Sequence, residues 1–188
     1  MRAASLALAA LLAAGRDAHA AEIEFAPFVG FQFDASSSLG SGLDYGATLD
    51  VPVAPTFAVE LLYSRQEAEL LGGPGRAVEV SVERYLAGLV EEQTHDWGRF
   101  FGVFLLGLTR FAPGLDGYDA DERFTLGLSL GAKLALSERF GLRGEARGFY
   151  VIASSGGGLL CRDGACLVTY SASGFAQGDV TAAVIVTF

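Results

Sequence analysis

Charged residues recur at every second position in several segments of this chain, which is the spacing that lines up side chains on one face of a β-strand. Arg143, Glu145 and Arg147 show this pattern, and small or apolar residues stand between them. Opposite charges that are withdrawn from water must pair, so the chemistry of such a row is ion-pair formation. A row of ionisable groups can also form a narrow pore or a proton path.

Acidic residues prevail on the first four alternating segments, and basic residues prevail on the sixth and seventh. An eight-stranded barrel has an interior just wide enough for side chains, so two such sets would meet at its centre. The residues that we expect in this interior network are Glu60, Glu79, Glu83, Lys133, Arg143, Glu145 and Arg147. Further charges on the same predicted inner faces are Glu24, Asp34, Asp44, Asp50, Arg123 and Asp179. We expect a salt-bridged plug rather than a pore, and bilayer conductance distinguishes the two.

Cys161 and Cys166 form a C-x4-C pair in the longest predicted loop, residues 153–174. In an exported protein, two close cysteines are expected to form a disulfide. A zinc site would require about four ligands, and His95 is predicted in a turn at the opposite end. We therefore predict a disulfide of modest, local effect, because the loop that it closes is short.

No residue pattern supports an enzyme, a cofactor site or a metal site. A hydrolase of the Ser/His type needs a positioned histidine base, and His95 has no nucleophile beside it. A two-carboxylate site is conceivable among the interior acids, but neighbouring arginines would favour their charged form. The acidic loop with Asp116, Asp119, Asp121 and Glu122 lacks the spacing of an EF-hand, and we interpret it as a solvated loop.

The elements that position these charges are strands with one apolar face. From residue 124 to 136 every second residue is apolar, and the pattern resumes over 142–150 with charges on the other face. Hydrophobic residues make up 51% of the chain and the mean hydropathy is +0.38. No apolar run reaches the roughly 18 residues of a spanning helix, and no second layer remains to cover the apolar faces. The pattern predicts strands whose apolar faces meet lipid.

Eight such segments follow residue 20. We predict an all-β fold, an eight-stranded antiparallel up-and-down transmembrane β-barrel, since strands in lipid must close to pair every backbone group. Short turns at Pro52–Pro55, Glu91–Gly98 and Ser137–Arg139 alternate with longer loops, as in outer-membrane barrels.

Two strands are ambiguous. In the fourth, outward valines would place Glu79 and Glu83 inside but Arg84 in lipid, at a cost of about 2–4 kcal/mol at mid-bilayer. A β-bulge at Glu83–Arg84 would turn both side chains inward; otherwise Arg84 must lie nearer an interface, and the sequence leaves this choice open. The fifth strand, Phe101–Phe111, is apolar on both faces, and its orientation stays open.

Residues 1–20 have the features of a signal peptide: Arg2, an apolar stretch and the A-x-A site Ala18-His19-Ala20. Residues 21–188 then form one barrel domain. The net charge of −9 argues against nucleic acid as a partner.

The ending VIVTF with terminal Phe188 resembles the C-terminal assembly signal of outer-membrane barrels. Together with FVGFQFD, RFFGVFLLGLTRFAP and KLALSERFGLRGEARGFYV, it makes residues 21–188 similar to the small OmpA-like β-barrel superfamily. The resemblance implies a monomer in the cell outer membrane, in contact with lipid and lipopolysaccharide. It also implies that the barrel-assembly machinery recognises Phe188.

For function, we expect a structural or surface-interaction protein with a closed, salt-bridged interior. The alternative is an OmpW-like conduit for small or hydrophobic molecules, which the two-sided fifth strand would favour. A lipid-modifying enzyme would need a polar cluster at the outer membrane edge. A soluble lipocalin-like barrel would place the large apolar residues inside and the polar residues outside, which is the reverse of what the sixth and seventh segments indicate.

Overall fold

The computed structural model describes residues 22–34, 40–72, 76–114, 120–152, 158–162, 165–169 and 174–188. The predicted signal peptide lies outside these ranges, as do Asp116 and Asp119, so those interpretations stay predictions. Within the described ranges, no helix is long and apolar enough to cross a membrane.

The described residues form eight strands of a closed barrel and one separate hairpin. The barrel strands are β1 (Glu24–Asp34), β2 (Gly42–Ala54), β3 (Phe57–Gly72), β4 (Arg76–His95), β5 (Gly98–Pro113), β6 (Asp121–Ala135), β7 (Phe140–Ile152) and β10 (Gly174–Thr187). The hairpin consists of β8 (Gly158–Arg162) and β9 (Ala165–Thr169), within the connection predicted as a single loop. All neighbouring barrel strands are antiparallel, and β10 closes the cylinder against β1. The predicted eight-stranded up-and-down barrel is confirmed.

The period-two pattern determines which side chains face the interior. On β7, every second residue is buried, including Arg143, Glu145 and Arg147, while the residues between them are exposed. On β6, Lys133 points inward, and Leu128 points outward with 65% of its surface exposed. The barrel therefore has a polar, charged interior and an apolar exterior.

β4 faces the opposite way from the prediction over its first half. Val80, Val82 and Arg84 are buried inside the barrel, and Glu79 lies exposed on the outside. Glu83 forms ion pairs with Arg65 and Arg110 on the neighbouring strands.

The assignment of Glu79 and Glu83 to the interior network is therefore wrong, and so is the bulge. β4 pairs with β3 in continuous register through Glu83 and Arg84. No bulge is needed, because the interior supplies partners for the Arg84 guanidinium. The valines fill the interior near the long loops instead of facing outward.

The connections define two ends of the barrel. β2 and β3 are joined at Pro55–Thr56, β4 and β5 at Asp96–Trp97, and β6 and β7 through residues 136–139. β1 begins and β10 ends at this same end, which we call the turn side. The opposite end, with the longer connections, is the loop side.

Candidate functional site: the ionic interior of the barrel

The inward charges form three clusters along the barrel axis. From the turn side to the loop side, they are a turn-side cluster (Glu24, Asp50, Glu92, Arg99 and Lys133), a central cluster (Glu60, Arg143 and Glu145) and a loop-side cluster (Asp44, Arg84, Arg147 and Asp179). Each cluster joins residues from several strands, and ion pairs of the turn-side and central clusters connect opposite walls.

In the turn-side cluster, Lys133 Nζ donates to three carboxylates, which uses all the donors of its ammonium group. The distances are 2.6 Å to Glu24 Oε2, 2.8 Å to Asp50 Oδ2 and 2.5 Å to Glu92 Oε1. Arg99 also pairs with Glu24 and lies 3.0 Å from Glu92 Oε2. The oxygens of these three acids lie within 4.8 Å of one another, close enough to hold a metal ion. The Lys133 ammonium makes hydrogen bonds to all three, so a lysine supplies the positive charge there.

The central cluster is organised around Arg143. Its Nη2 lies 2.6 Å from Glu60 Oε2, its Nε 2.9 Å from Glu145 Oε2 and its Nη1 3.1 Å from Asp50 Oδ2. Asp50 Oδ2 thus accepts hydrogen bonds from both Lys133 and Arg143 and links two clusters.

Aromatic rings carried two strands away from β7 contact its cations. The Arg143 guanidinium lies 4.3 Å from the centre of the Phe101 ring, within the range of a cation–π contact. The inward Gly131 makes room for that ring, because a Cβ there would lie 2.3 Å from Phe101 Cζ. Arg147 lies similarly 4.2 Å from the Phe28 ring centre.

Arg84 in the loop-side cluster is fully buried and binds neutral groups. Its Nη1 donates to Gln32 Oε1 and its Nη2 to Gln177 Oε1, each at 2.7 Å. Ser64 Oγ accepts a longer bond of 3.4 Å. Amide oxygens from β1 and β10 thus solvate a cation carried by β4 on the far wall.

One wall of the lumen is apolar. β5, whose orientation the sequence leaves open, points Phe101, Val103 and Leu105 inward, where they pack in one cluster with Leu62 and Phe149. At the loop side the rings of Phe111 and Phe175 lie 5.9 Å apart, and the inward valines of β4 are completely buried. Side chains therefore occupy the cross-section from wall to wall.

The structure brings together five of the seven predicted network residues. Glu60, Lys133, Arg143, Glu145 and Arg147 are buried and joined by ion pairs. Glu92 and Arg99 are not among the predicted network residues, because β4 continues to His95 through the predicted turn and β5 begins at Gly98, before the predicted start of the fifth strand. Continuing the even-numbered inward parity of β4 past Val90 would have identified Glu92.

The remaining predicted residues lie elsewhere. Cys161 is directly opposite Cys166 in the β8–β9 register, and the disulfide between them stays a prediction. Phe188 is exposed, and its backbone N–H donates to the carbonyl of Ile23 at 3.0 Å. Asp121 of the acidic loop pairs with Arg123 at 2.6 Å.

Comparisons with solved structures agree with this architecture. Neisserial surface protein A, NspA, is 14% identical in sequence with a TM-score of 0.65, covering 89% of this chain and 96% of that one. The outer membrane protein OprG from Pseudomonas aeruginosa is 12% identical with a TM-score of 0.56, covering 90% of this chain and 96% of that one. The sequence matches no protein-family model and no curated protein. At these identities the likeness shows the fold, which is that of small outer-membrane barrels.

Proposed function

We propose that the chain is an integral protein of the cell outer membrane with a closed lumen and a structural or surface-interaction role. The observation that carries this proposal is the combination of an apolar exterior with an interior in which buried charges, many of them ion-paired, and apolar side chains pack together. A barrel of this kind has no open channel through the lipid, and its loop side is the part available to other molecules.

The exterior supports a position in lipid. Among the described barrel strands, outward charges occur near the two ends: Arg65, Glu67, Glu69, Glu79, Glu83, Arg110 and Glu122 at the loop side and Glu91 at the turn side. Between them the outward residues are mainly apolar, as a lipid-facing band requires.

Aromatic residues mark the borders of this band. Tyr63 and Tyr85 lie 5.2 Å apart towards the loop side, and Trp97 and Phe100 lie 4.8 Å apart at the turn side. Aromatic girdles at both interfaces are typical of outer-membrane barrels. We infer that lipid and lipopolysaccharide are the immediate surroundings and that the barrel functions as a monomer.

The experiment that tests the closed lumen is conductance after reconstitution into planar bilayers. Folded protein, verified by its heat-modifiable migration on gels, should give no stable conductance of nanosiemens scale, while a porin in the same bilayer serves as the positive control. A stable channel from the folded protein would contradict the proposal.

A second candidate function, a conduit for small or hydrophobic molecules, is favoured by the apolar inner wall of β5. Its inward residues pack against Leu62 and Phe149 from other strands, which favours the closed form over a conduit. Uptake of a hydrophobic dye into liposomes above the protein-free rate would favour the conduit instead.

Assembly through the C-terminal residue is tested separately from the lumen. We expect deletion of Phe188 to reduce the outer-membrane fraction and the heat-modifiable species in a Gram-negative host. Val184→Ala, at an outward position of the same strand, is the matched control. Unchanged assembly of the deletion variant would exclude a role for Phe188 as the assembly signal.

A further inference from the structure

The loop-side cluster differs from the other two because most of its polar atoms are not directly bonded. Among the described residues, neither oxygen of Asp44 nor of Asp179 accepts a hydrogen bond of standard geometry. Nε of Arg84, and Nε and Nη1 of Arg147, likewise donate none. All four residues are buried, so this cluster has more bonding capacity than the described side chains use.

Asp44 and Asp179 come from β2 and β10, which are separated by β1. Asp44 is in register with Gly30 of β1, and Asp179 is in register with Gln32. Gly30 has no side chain, and the side chain of Gln32 points into the lumen beside Asp179. Both side chains are completely buried inside the barrel on either side of β1, and their carboxyl groups lie within hydrogen-bonding reach of each other.

Among the described residues, the hydrogen bonds of the two surrounding arginines go to groups other than Asp44 and Asp179. Arg84 of β4 directs its two terminal nitrogens to Gln32 and Gln177. Arg147 of β7 directs Nη2 to Glu145, at 3.0 Å, and its Nη1 lies 3.9 Å from Asp179 Oδ2, too far for a hydrogen bond. The Ser64 hydroxyl of β3 is a further polar neighbour of Asp44, and the buried Gln66 of β3 is in register with it.

The charge balance of the three clusters points in the same direction. The three clusters contain seven carboxyl groups (Glu24, Asp44, Asp50, Glu60, Glu92, Glu145 and Asp179) and five cations (Arg84, Arg99, Lys133, Arg143 and Arg147). Two carboxylates in contact, removed from water, cannot both be ionised without a strong mutual repulsion. A proton between them removes that repulsion and one unit of the excess negative charge.

We propose that Asp44 and Asp179 form a proton-binding site in which the two carboxyl groups share one proton. One residue is then a carboxylic acid whose O–H donates to an oxygen of the other, which remains a carboxylate. The proton comes from water, and no other reactant is involved.

Infrared spectroscopy of the folded full-length barrel in detergent tests this site. At neutral pH the spectrum should contain the C=O stretch of a protonated carboxylic acid, shifted to lower frequency in D2O. Asp44→Asn and Asp179→Asn should each abolish this band, because an amide can donate to the remaining carboxylate. Asp121→Asn is the matched control, since Asp121 pairs with Arg123 at the loop side, and it should keep the band.

Isotope labelling of the unsubstituted protein covers the case in which a variant does not fold. Carboxyl-13C aspartate should shift the band, and labelled glutamate should leave it in place. Absence of the band at neutral pH, as a metal cation held between two carboxylates would give, overturns the proposal. A band that persists in both asparagine variants, or that shifts only with labelled glutamate, overturns it as well.

Discussion

Lys133 Nζ lies 2.8 Å from Asp50 Oδ2, although the two residues are carried by strands on opposite walls of the barrel. In the closed order of strands, β6 and β2 are separated by β7, β10 and β1 on one side and by β5, β4 and β3 on the other. This contact therefore spans the full width of the lumen. The stability of the barrel should depend on it more than on any exposed ion pair.

Removing the Lys133 charge should leave three buried carboxylates without their shared cation. Breaking a buried pair by removing one partner costs about 3–5 kcal/mol, and we expect a loss of this size in the free energy of unfolding of Lys133→Met. Urea unfolding in lipid vesicles measures it. Arg139→Met, in the exposed turn between β6 and β7, is the control and should change little. Equal losses in the two variants would contradict the central role of Lys133.

The same substitution should create a binding site for a divalent cation. With the ammonium gone, the oxygens of Glu24, Asp50 and Glu92 remain within 4.8 Å of one another, and carboxylate oxygens are the ligands that Ca²⁺ prefers. Added Ca²⁺ should raise the urea midpoint of Lys133→Met and leave that of the unsubstituted protein unchanged. The same response in both proteins would place the cation elsewhere.

Glu60 and Arg143 should show energetic coupling in a double-mutant cycle. Their atoms are 2.6 Å apart and both side chains are buried, so Glu60→Gln and Arg143→Met should be non-additive by about 0.5–3 kcal/mol. Unfolding free energies of the two single variants and the double variant give the coupling. Pairing Glu67→Gln with Arg143→Met provides the control, and additivity in both cycles would be inconsistent with a direct ion pair.

Substitutions of two adjacent residues of β4 should differ sharply in their effect on the free energy of unfolding, because the two side chains face opposite sides of the sheet. Arg84→Leu leaves the amide oxygens of Gln32 and Gln177 without a donor, at about 1–3 kcal/mol for each buried group. Glu83→Leu removes ion pairs with two partly exposed arginines, which are worth up to about 1 kcal/mol. Denaturant titration of both variants checks the difference, and the reverse ranking would support the bulged orientation of β4.

The position of the lipid-facing band can be tested with two outward leucines. Leu128 lies at the middle of β6, and Leu43 lies at the loop-side end of β2. An arginine at the bilayer midplane costs about 2–4 kcal/mol and near an interface about 0–1 kcal/mol. We therefore expect Leu128→Arg to destabilise the barrel in vesicles far more than Leu43→Arg. Similar losses of unfolding free energy in the two variants would show that the lipid-facing band is assigned to the wrong part of the strands.

The disulfide prediction is tested by thiol titration. Cys161 and Cys166 stand opposite each other in the β8–β9 register, so the oxidised protein should expose no reactive thiol until a reductant is added. Reduction should lower the melting temperature only slightly, because the closed loop is short. Two thiols that react without reductant in protein from an oxidising compartment would disprove the pairing.

Where one face of a strand carries mainly small or polar residues, the sequence predicts correctly which side chains point into the barrel. β6 and β7 meet this condition, and the inward positions of Lys133, Arg143, Glu145 and Arg147 follow from alternation alone. β4 does not, because valines and a single arginine share one face while glutamates occupy the other. Only the contacts of Arg84 with Gln32 and Gln177, distant in sequence, decide its orientation.

The contact between the two aspartates has a similar origin. Nothing in the local sequence of Asp44 or Asp179 indicates that they meet. Their meeting depends on the closure of β10 against β1, which places β2 and β10 on either side of the same strand. Alternation predicts which face a residue occupies, whereas the radius and stagger of the barrel decide which residues it contacts.

The width spanned by Lys133 and Asp50 also has a consequence for biogenesis. An open, partly assembled sheet holds these two side chains far apart, so the contact between them forms only when the first and last strands meet. Insertion of an unfinished sheet would carry unpaired ions into a hydrocarbon layer. Ring closure and membrane entry should consequently be coupled into one concerted event.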